Sequence, residues 1–354
     1  DTRAKQLATF SLLLKACQKD NAFADAHCLP NVLDMTGIVP DMNEQELSDA
    51  CLRFIGGYEN VAGEMLEQDF ELLRDADNLG SIMMFNDDED YLAMLRYHYE
   101  DWTEGSIEDC PEEIKALIPG VRLLLALSEK YHALVMNPPY MGSGNMNATL
   151  SKYVKDEYEE GKADLATVFV QMMAERTLKN GSYAFIIPPS WMFLSTFEKL
   201  RKNIIENNSI QSLLHLSRGV FGADFGASSA VIQNAANNEA RGTYFRLVER
   251  TFQEFEQSHL RMLFEQTLAN HDFKYRFKDY TKEVTELPYS EDGNRIYYPN
   301  VSQQDFEKIP GCPIGYWVSE RVKQVFSANT AVDEVIYLRE GIHTGKNELF
   351  LRNW

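Results

Sequence analysis

Apolar positions along the chain change period twice, and the changes predict its elements. Ala4, Leu7, Ala8, Leu14 and Cys17 recur at helical spacing, with Asp1 as the N-cap. The run Leu29 to Met35 predicts a short strand with Asp34 near its end. Between Pro40 and Lys130, Leu47, Leu52, Leu66, Leu72, Leu92 and Leu95 are spaced for amphipathic helices, with breaks expected at Pro111 and Pro119. Strands and helices alternate after that. Ala133-Leu134-Val135-Met136 predicts a buried strand, and Leu165, Val168, Phe169, Met172 and Met173 mark a helix that Asn180-Gly181 should close. Ser182 to Ile187 predicts a strand, Ser195 to Asn207 a helix, and Ile210 to Leu216, Ser228 to Gln233 and Tyr244 to Val248 further strands. Such alternation predicts an α/β fold with a mostly parallel sheet. Beyond this the pattern turns helical and then irregular, punctuated by Pro288, Asp292-Gly293, Pro299, Pro310-Gly311 and Pro313. There is no internal repeat.

Composition narrows the class. At 354 residues with 44% hydrophobic and 12% aromatic content, the chain can bury real cores, and disorder is not expected. Its five cysteines are scattered without a CxxC or Cys/His pair at metal-ligand spacing, which predicts reduced, structural thiols in a cytoplasmic protein. No basic segment followed by an apolar one opens this stretch and its apolar runs are interrupted well short of about 18 residues, so neither secretion nor membrane insertion is expected. The net charge of -20 argues against this stretch alone gripping a phosphate backbone. Acidic residues crowd positions 41 to 113, however, whereas Arg176, Lys179, Lys199, Arg201, Lys202 and Arg218 follow the next motif.

That motif is Asn137-Pro138-Pro139-Tyr140, between the apolar run at 133 to 136 and the glycine-bearing Met141-Gly142-Ser143-Gly144-Asn145. Two prolines fix φ, donate no N–H and push the preceding residue out of the helical region. The corner is therefore a rigid array of acceptors. The exocyclic amine of adenine is a poor nucleophile because its lone pair is delocalised into the ring. Acceptors that bind both of its N–H groups favour a tetrahedral nitrogen aimed at an electrophile. The Asn137 side-chain oxygen and the Pro138 carbonyl can supply those acceptors, and the Tyr140 ring can stack on the base. The nitrogen can lose its proton after it gains the methyl group, so no charged base is required.

At these residues the chain resembles the γ-class adenine N6 DNA methyltransferases. More specifically, NPPYMGSGNMN, GKADLATVF, IIPPSWMFLSTFEKLR, KIPGCPIGYWVSE and REGIHTGKNELFLRNW resemble the methyltransferases of BREX phage-defence systems. The resemblance implies a Rossmann-like class I S-adenosylmethionine-dependent methyltransferase fold, lacking here its N-terminal strands and carrying a helical insertion at about 40–130. It implies a catalytic domain over 1–250, and over 251–354 a linker and the start of a target-recognition domain. It further implies S-adenosylmethionine as cofactor, double-stranded DNA as partner, and other phage-defence proteins as possible partners. Gly219-Val220-Phe221 resembles the segment that supplies a second aromatic ring to the flipped adenine, with Phe221 either stacking on the base or sitting in the core and Phe225 a neighbouring competitor. Asp34 and Met35 resemble the acid and apolar residue that meet the cofactor's adenine, although a turn aspartate explains Asp34 equally simply. The family's glycine-rich cofactor loop and its ribose acid are expected upstream of Asp1, beside a first strand that would cover the edge and faces of the NPPY strand. Phe54-Ile55-Gly56-Gly57 and Phe221-Gly222-Ala223-Asp224 do not join a strand to a helix in the required order.

Other chemistries find less support. Gly341-Ile342-His343-Thr344-Gly345-Lys346-Asn347 has one residue too few between its glycines for a phosphate loop, and Asn where Ser or Thr should follow the lysine. The seven histidines form no HxxxH or HExxH pattern. Asp87-Asp88-Glu89-Asp90 predicts a solvated acidic loop. The remaining readings are a fused restriction-methylation enzyme, a protein-glutamine methyltransferase, for which the long insertion and the recognition-domain signature fit poorly, and a scaffold that binds DNA or defence partners without turnover.

Overall fold

The computed structural model describes residues 2–26, 28–57, 60–105, 109–220, 226–250, 253–282 and 286–329. Its chain divides into two units, Asp1–Tyr183 and Ala184–Trp354. The first unit opens with α1 (Thr2–Lys19), which forms as its period predicts yet buries none of its side chains. The strand expected over Leu29 to Met35 is not formed. Local hydrogen bonds replace a ladder there: Val32 N donates to the Pro30 carbonyl and Thr36 N to the Asp34 carboxylate.

The helical insertion follows as α2 (Glu44–Phe54), α3 (Asn60–Leu73), α4 (Ala76–Leu79), α5 (Glu89–Thr103) and α6 (Glu112–Ser128). A complete capping box between Asn43 and Glu46 starts α2. Gly56 and Gly57, both at positive φ, follow its end, so this glycine pair is a helix stop. Asp88 N-caps α5 by accepting from Tyr91 N, so the expected acidic loop is in part a helix start. Pro111 precedes α6 as a boundary, but Pro119 lies inside it. Burial overrides the lost hydrogen bond: Leu117, Val121 and Leu124 are fully buried around the proline, and Gly120 next to it lies so close to Phe70 and the Ile38 carbonyl that a Cβ would not fit.

After β1 (Tyr131–Met136) come α7 (Ala148–Glu157), α8 (Leu165–Arg176) and β2 (Thr177–Ile187), with β1 beside β2. Asn180-Gly181 does not close α8. Thr177 is already extended, and Asn180, at φ +66°, sits within β2. A Cβ on Gly181 would stand 2.8 Å from the His132 carbonyl, so the pair serves the close approach of the two strands.

The second unit contains α9 (Glu198–Asn207), β3 (Ser209–Leu216), β4 (Ala227–Gln233), β5 (Arg241–Arg246), α10 (Gln257–Ala269), β6 (Lys274–Tyr275), β7 (Asn294–Arg295), β8 (Tyr297–Ser302) and α11 (Glu320–Ala328). Four of these strands lie in the order β4-β3-β5-β8, and β6 pairs separately with β7. The expected parallel pairing holds for β3 and β5, while β4 and β8 run antiparallel to their neighbours. The link between β3 and β4 is too short for a crossover, which normally takes a dozen residues or more. Two buried side chains fasten this unit. The Arg201 guanidinium donates to the carbonyls of Trp191, Leu194, Gly311 and Cys312, and the Gln303 amide accepts from Ile210 N while donating to the carbonyls of Ile205 and Asn208. Phe245 and Val248 share one core with Leu260, Leu263, Phe273 and Ile296, so packing continues across position 250. Among the described residues no helix is long and apolar enough to cross a membrane.

Candidate functional site

β1 delivers Asn137 and the two prolines to a corner of the first unit. The expectation of a buried strand is not met, because no β1 side chain is buried and Val135 is 82% exposed. Pro138 is buried, Asn137 and Pro139 are exposed, and Tyr140 is half-buried. The Tyr140 hydroxyl donates to the Asn137 side-chain oxygen at 2.8 Å. Partial burial raises the phenol's pKa, so it remains a donor near neutral pH. An amide oxygen carries two lone pairs, so this bond fixes the amide's orientation and leaves a second acceptor position.

The segment after the corner is held by backbone. Ser143 N donates to the Ala163 carbonyl and Leu165 N to the Met141 carbonyl, each at 2.9 Å, around an antiparallel bridge between Gly142 and Asp164. Asp164 caps α8 by accepting from Ala166 N. Thr167 Oγ1 donates to the carbonyls of Gly161 and Asp164, and Gly161 lies so close to the Thr167 carbonyl that a Cβ would come within 2.6 Å of it. Asn147 caps α7 and exchanges reciprocal amide hydrogen bonds with Asn78 in α4 of the insertion. GKADLATVF is thus the brace of NPPYMGSGN. The sequence carried a local signal for this, an aspartate one residue before an apolar helix, but not for which loop it would brace.

Asp34 and Met35 lie in the same unit. The Asp34 carboxylate pairs with Lys5 at 3.7 Å and also accepts from Thr36 N. Both contacts fit a turn aspartate. Met35 lines a cleft of about 370 Å³ with Ile38, Val39, Leu73 and Ala76, together with Gly37, Arg74 and Asp77. Phe221, Phe225 and the stretch from Gly341 lie outside the described residues. Among those described, no group of His, Cys, Asp and Glu is arranged to hold a metal ion.

Comparison with known proteins bears on the same segments. A family model described as Eco57I restriction-modification methylase matches residues 1–221, well over half of the chain and inclusive of the NPPY corner, its brace and the start of the Gly219 segment. The chain belongs to this methylase family. It is 28% identical over its whole length to an adenine-specific methyltransferase PglX of Lacticaseibacillus casei (strain Zhang) and 27% identical to an adenine-specific methyltransferase BrxX of Escherichia coli O9:H4 (strain HS). It spans only 27% and 28% of those two relatives. A solved methyltransferase subunit of a type I restriction-modification system from Streptococcus thermophilus is 12% identical, with 59% of this chain and 47% of that one covered at a TM-score of 0.34. As a methylase of this family the chain carries the α/β methyltransferase fold expected of it, and α2 to α6 are the helices between Glu44 and Ser128.

Proposed function

We propose that the polypeptide to which this chain contributes is a site-specific DNA adenine N6 methyltransferase that marks host DNA in a BREX-type phage-defence system. The observation that carries the reading is the corner itself: an exposed asparagine amide, oriented by Tyr140, next to a proline carbonyl that has no neighbouring N–H to compete for its position. Asn137 Oδ1 and the Pro138 carbonyl accept the two N–H groups of the target amine and direct its lone pair outward. Tyr140 packs its ring on the base, and Phe221 supplies the second ring. A base inside a duplex cannot reach these groups, so the adenine is extruded before it is held. Asp34 and Met35 contribute to the adenine end of the cofactor site, with Met35 and the cleft it lines giving the contact surface. S-adenosylmethionine, when bound, supplies the methyl group as a sulfonium electrophile. The proton leaves the nitrogen after transfer, while both acceptors remain in place.

Asn137→Ala in the full-length polypeptide is expected to lower adenine methylation by at least about 10²-fold, the scale for loss of one preorganised polar group, without a change in thermal unfolding. Methylation at the wild-type rate would remove Asn137 from the chemistry. Calorimetry with S-adenosylmethionine tests the reading as a whole, since a polypeptide with no affinity for it is a scaffold. The family's description as a restriction-modification methylase favours a second reading, a fused enzyme that also cuts. Cleavage of unmethylated DNA by the purified polypeptide would decide for that second reading.

A further inference from the structure

The second unit carries a row of rings and arginines to which the methyl-transfer reading gives no role, although Phe193 and Trp317 lie in two of the segments that carry the family resemblance. β3 and β5 are its parallel pair, and His215 and Arg246 are partners in their register, at or one residue before the strands' carboxyl ends. In open α/β sheets ligands collect outside such carboxyl ends. The Arg246 guanidinium lies 4.5 Å over the Trp317 ring and also hydrogen-bonds the Tyr298 side chain, while Arg295 lies 5.4 Å over the Tyr298 ring. Phe193 stands edge-on to Trp317 at 5.6 Å, so Phe193, Trp317, Arg246, Tyr298 and Arg295 form a continuous series. Both arginines meet rings rather than carboxylates among the described residues, in a chain of net charge -20. Glu249 takes the Arg246 Nη2 donor on its backbone carbonyl and the Asn294 amide on its carboxylate.

A second observation points to a ligand. His215 is 5% exposed, packed 5.9 Å from Phe193 and 6.2 Å from Trp317, and neither of its ring nitrogens has a hydrogen-bond partner among the described residues. Arg246 Nε is likewise buried without a partner. Buried donors and acceptors are rarely left unpaired, and two in one cluster call for a group that can meet them. Burial, and then the Arg246 charge, push the His215 pKa down to about 4, so the cluster's charge near neutral pH comes from the arginines alone.

We infer that this row is a contact for a strand of DNA, in which Phe193 and Trp317 stack on a base and Arg246 and Arg295 meet the flanking phosphates. Alternating rings and guanidinium groups fit that polymer, because every base offers a π-face and every link a negative charge. The inference rests on the reading that the polypeptide acts on DNA. It is tested by irradiating the full-length polypeptide bound to a duplex substituted with iododeoxyuridine and mapping the adducts. Adducts on the peptides that carry Trp317 or Phe193 are expected, falling about tenfold in an Arg246→Gln, Arg295→Gln double variant. If that variant does not fold, Arg295→Gln alone, on an exposed side chain, carries the test with a smaller fall. Adducts confined to other peptides, or a yield indifferent to the arginines, would overturn it. Methylation measured on the same samples separates the two readings. Turnover without adducts at these rings sinks the row and leaves methyl transfer standing; adducts without turnover or cofactor binding do the reverse.

Discussion

The helical insertion and the NPPY corner belong to the same unit, yet they are held by opposite means. In the insertion, Leu47, Cys51, Phe54, Leu66, Phe70, Leu95, Ile114, Leu117, Val121 and Leu124 are almost fully buried, and the carboxylate of Asp69, buried with them, is fully engaged. Asp69 on α3 accepts from Asn86 N, the Asn86 amide and the Tyr91 hydroxyl. At the corner, by contrast, β1 leaves Val135 open and Asn137 is exposed. Asn137 keeps its place through the stiffness of two prolines and the backbone hydrogen bonds that tie Met141 and Ser143 to the start of α8. Preorganised acceptors can therefore be built from covalent restriction and local pairing, without deep burial. The insertion's stability should respond to the loss of buried polar contacts, and the corner's should not.

The sharpest way to break this contrast is Arg176. Its guanidinium, buried at the end of α8, donates to the Ser81 and Met83 carbonyls at 2.7 and 2.5 Å and thereby ties the insertion to the helix that braces the corner. Arg176→Met keeps much of the volume and leaves both carbonyls unpaired, at a cost on the order of 3 kcal/mol in unfolding free energy. A loss below about 1 kcal/mol in denaturant melts would mean that burial of Tyr153 and Tyr158 nearby holds the insertion without the arginine.

Asp69 gives a smaller effect with a defined pH window. Burial raises its pKa from 3.8 to about 6, outweighing the three hydrogen bonds that lower it. The folded state therefore prefers the protonated acid. Its contribution is fully present below the unfolded pKa near 4 and is lost as pH rises through about 6, by roughly 2–3 kcal/mol. Denaturation midpoints of the wild type should decline between pH 4 and 6 more steeply than those of Asp69→Asn. Parallel profiles would show that solvent reaches the carboxylate.

Most of what could be read along the chain depended on neighbours in sequence. The proline corner, the amphipathic leucines from Leu47 to Leu95 and the strands ending at Ile187, Leu216 and Gln233 all declare themselves within a few residues. What was misread depended on distant ones. Pro119 continues its helix because Leu117 and Val121 are buried beside it, and Asn180-Gly181 answers to the His132 carbonyl on another strand. The run at Leu29 to Met35 is an exception to this: it has the composition of a strand but makes the local bonds of Val32 N to the Pro30 carbonyl and Thr36 N to Asp34. No local period announces that residues 193, 246, 298 and 317 meet.

The smallest expected effect sharpens the comparison most cleanly. Val135 on β1 and Val121 in α6 are the same residue, 82% and 0% exposed. Replacing each by threonine preserves shape and adds one hydroxyl. At Val121 the hydroxyl enters a closed core and should cost about 1–3 kcal/mol. At Val135 it meets solvent, and the change in this chain's unfolding free energy should stay within about 0.5 kcal/mol. Chemical denaturation of the two variants side by side checks both values. Repeating Val135→Thr in the full-length polypeptide then asks whether that face of β1 is open there as well. A cost that rises to the Val121 level would show it covered by other residues, and the corner would share the insertion's dependence on burial after all.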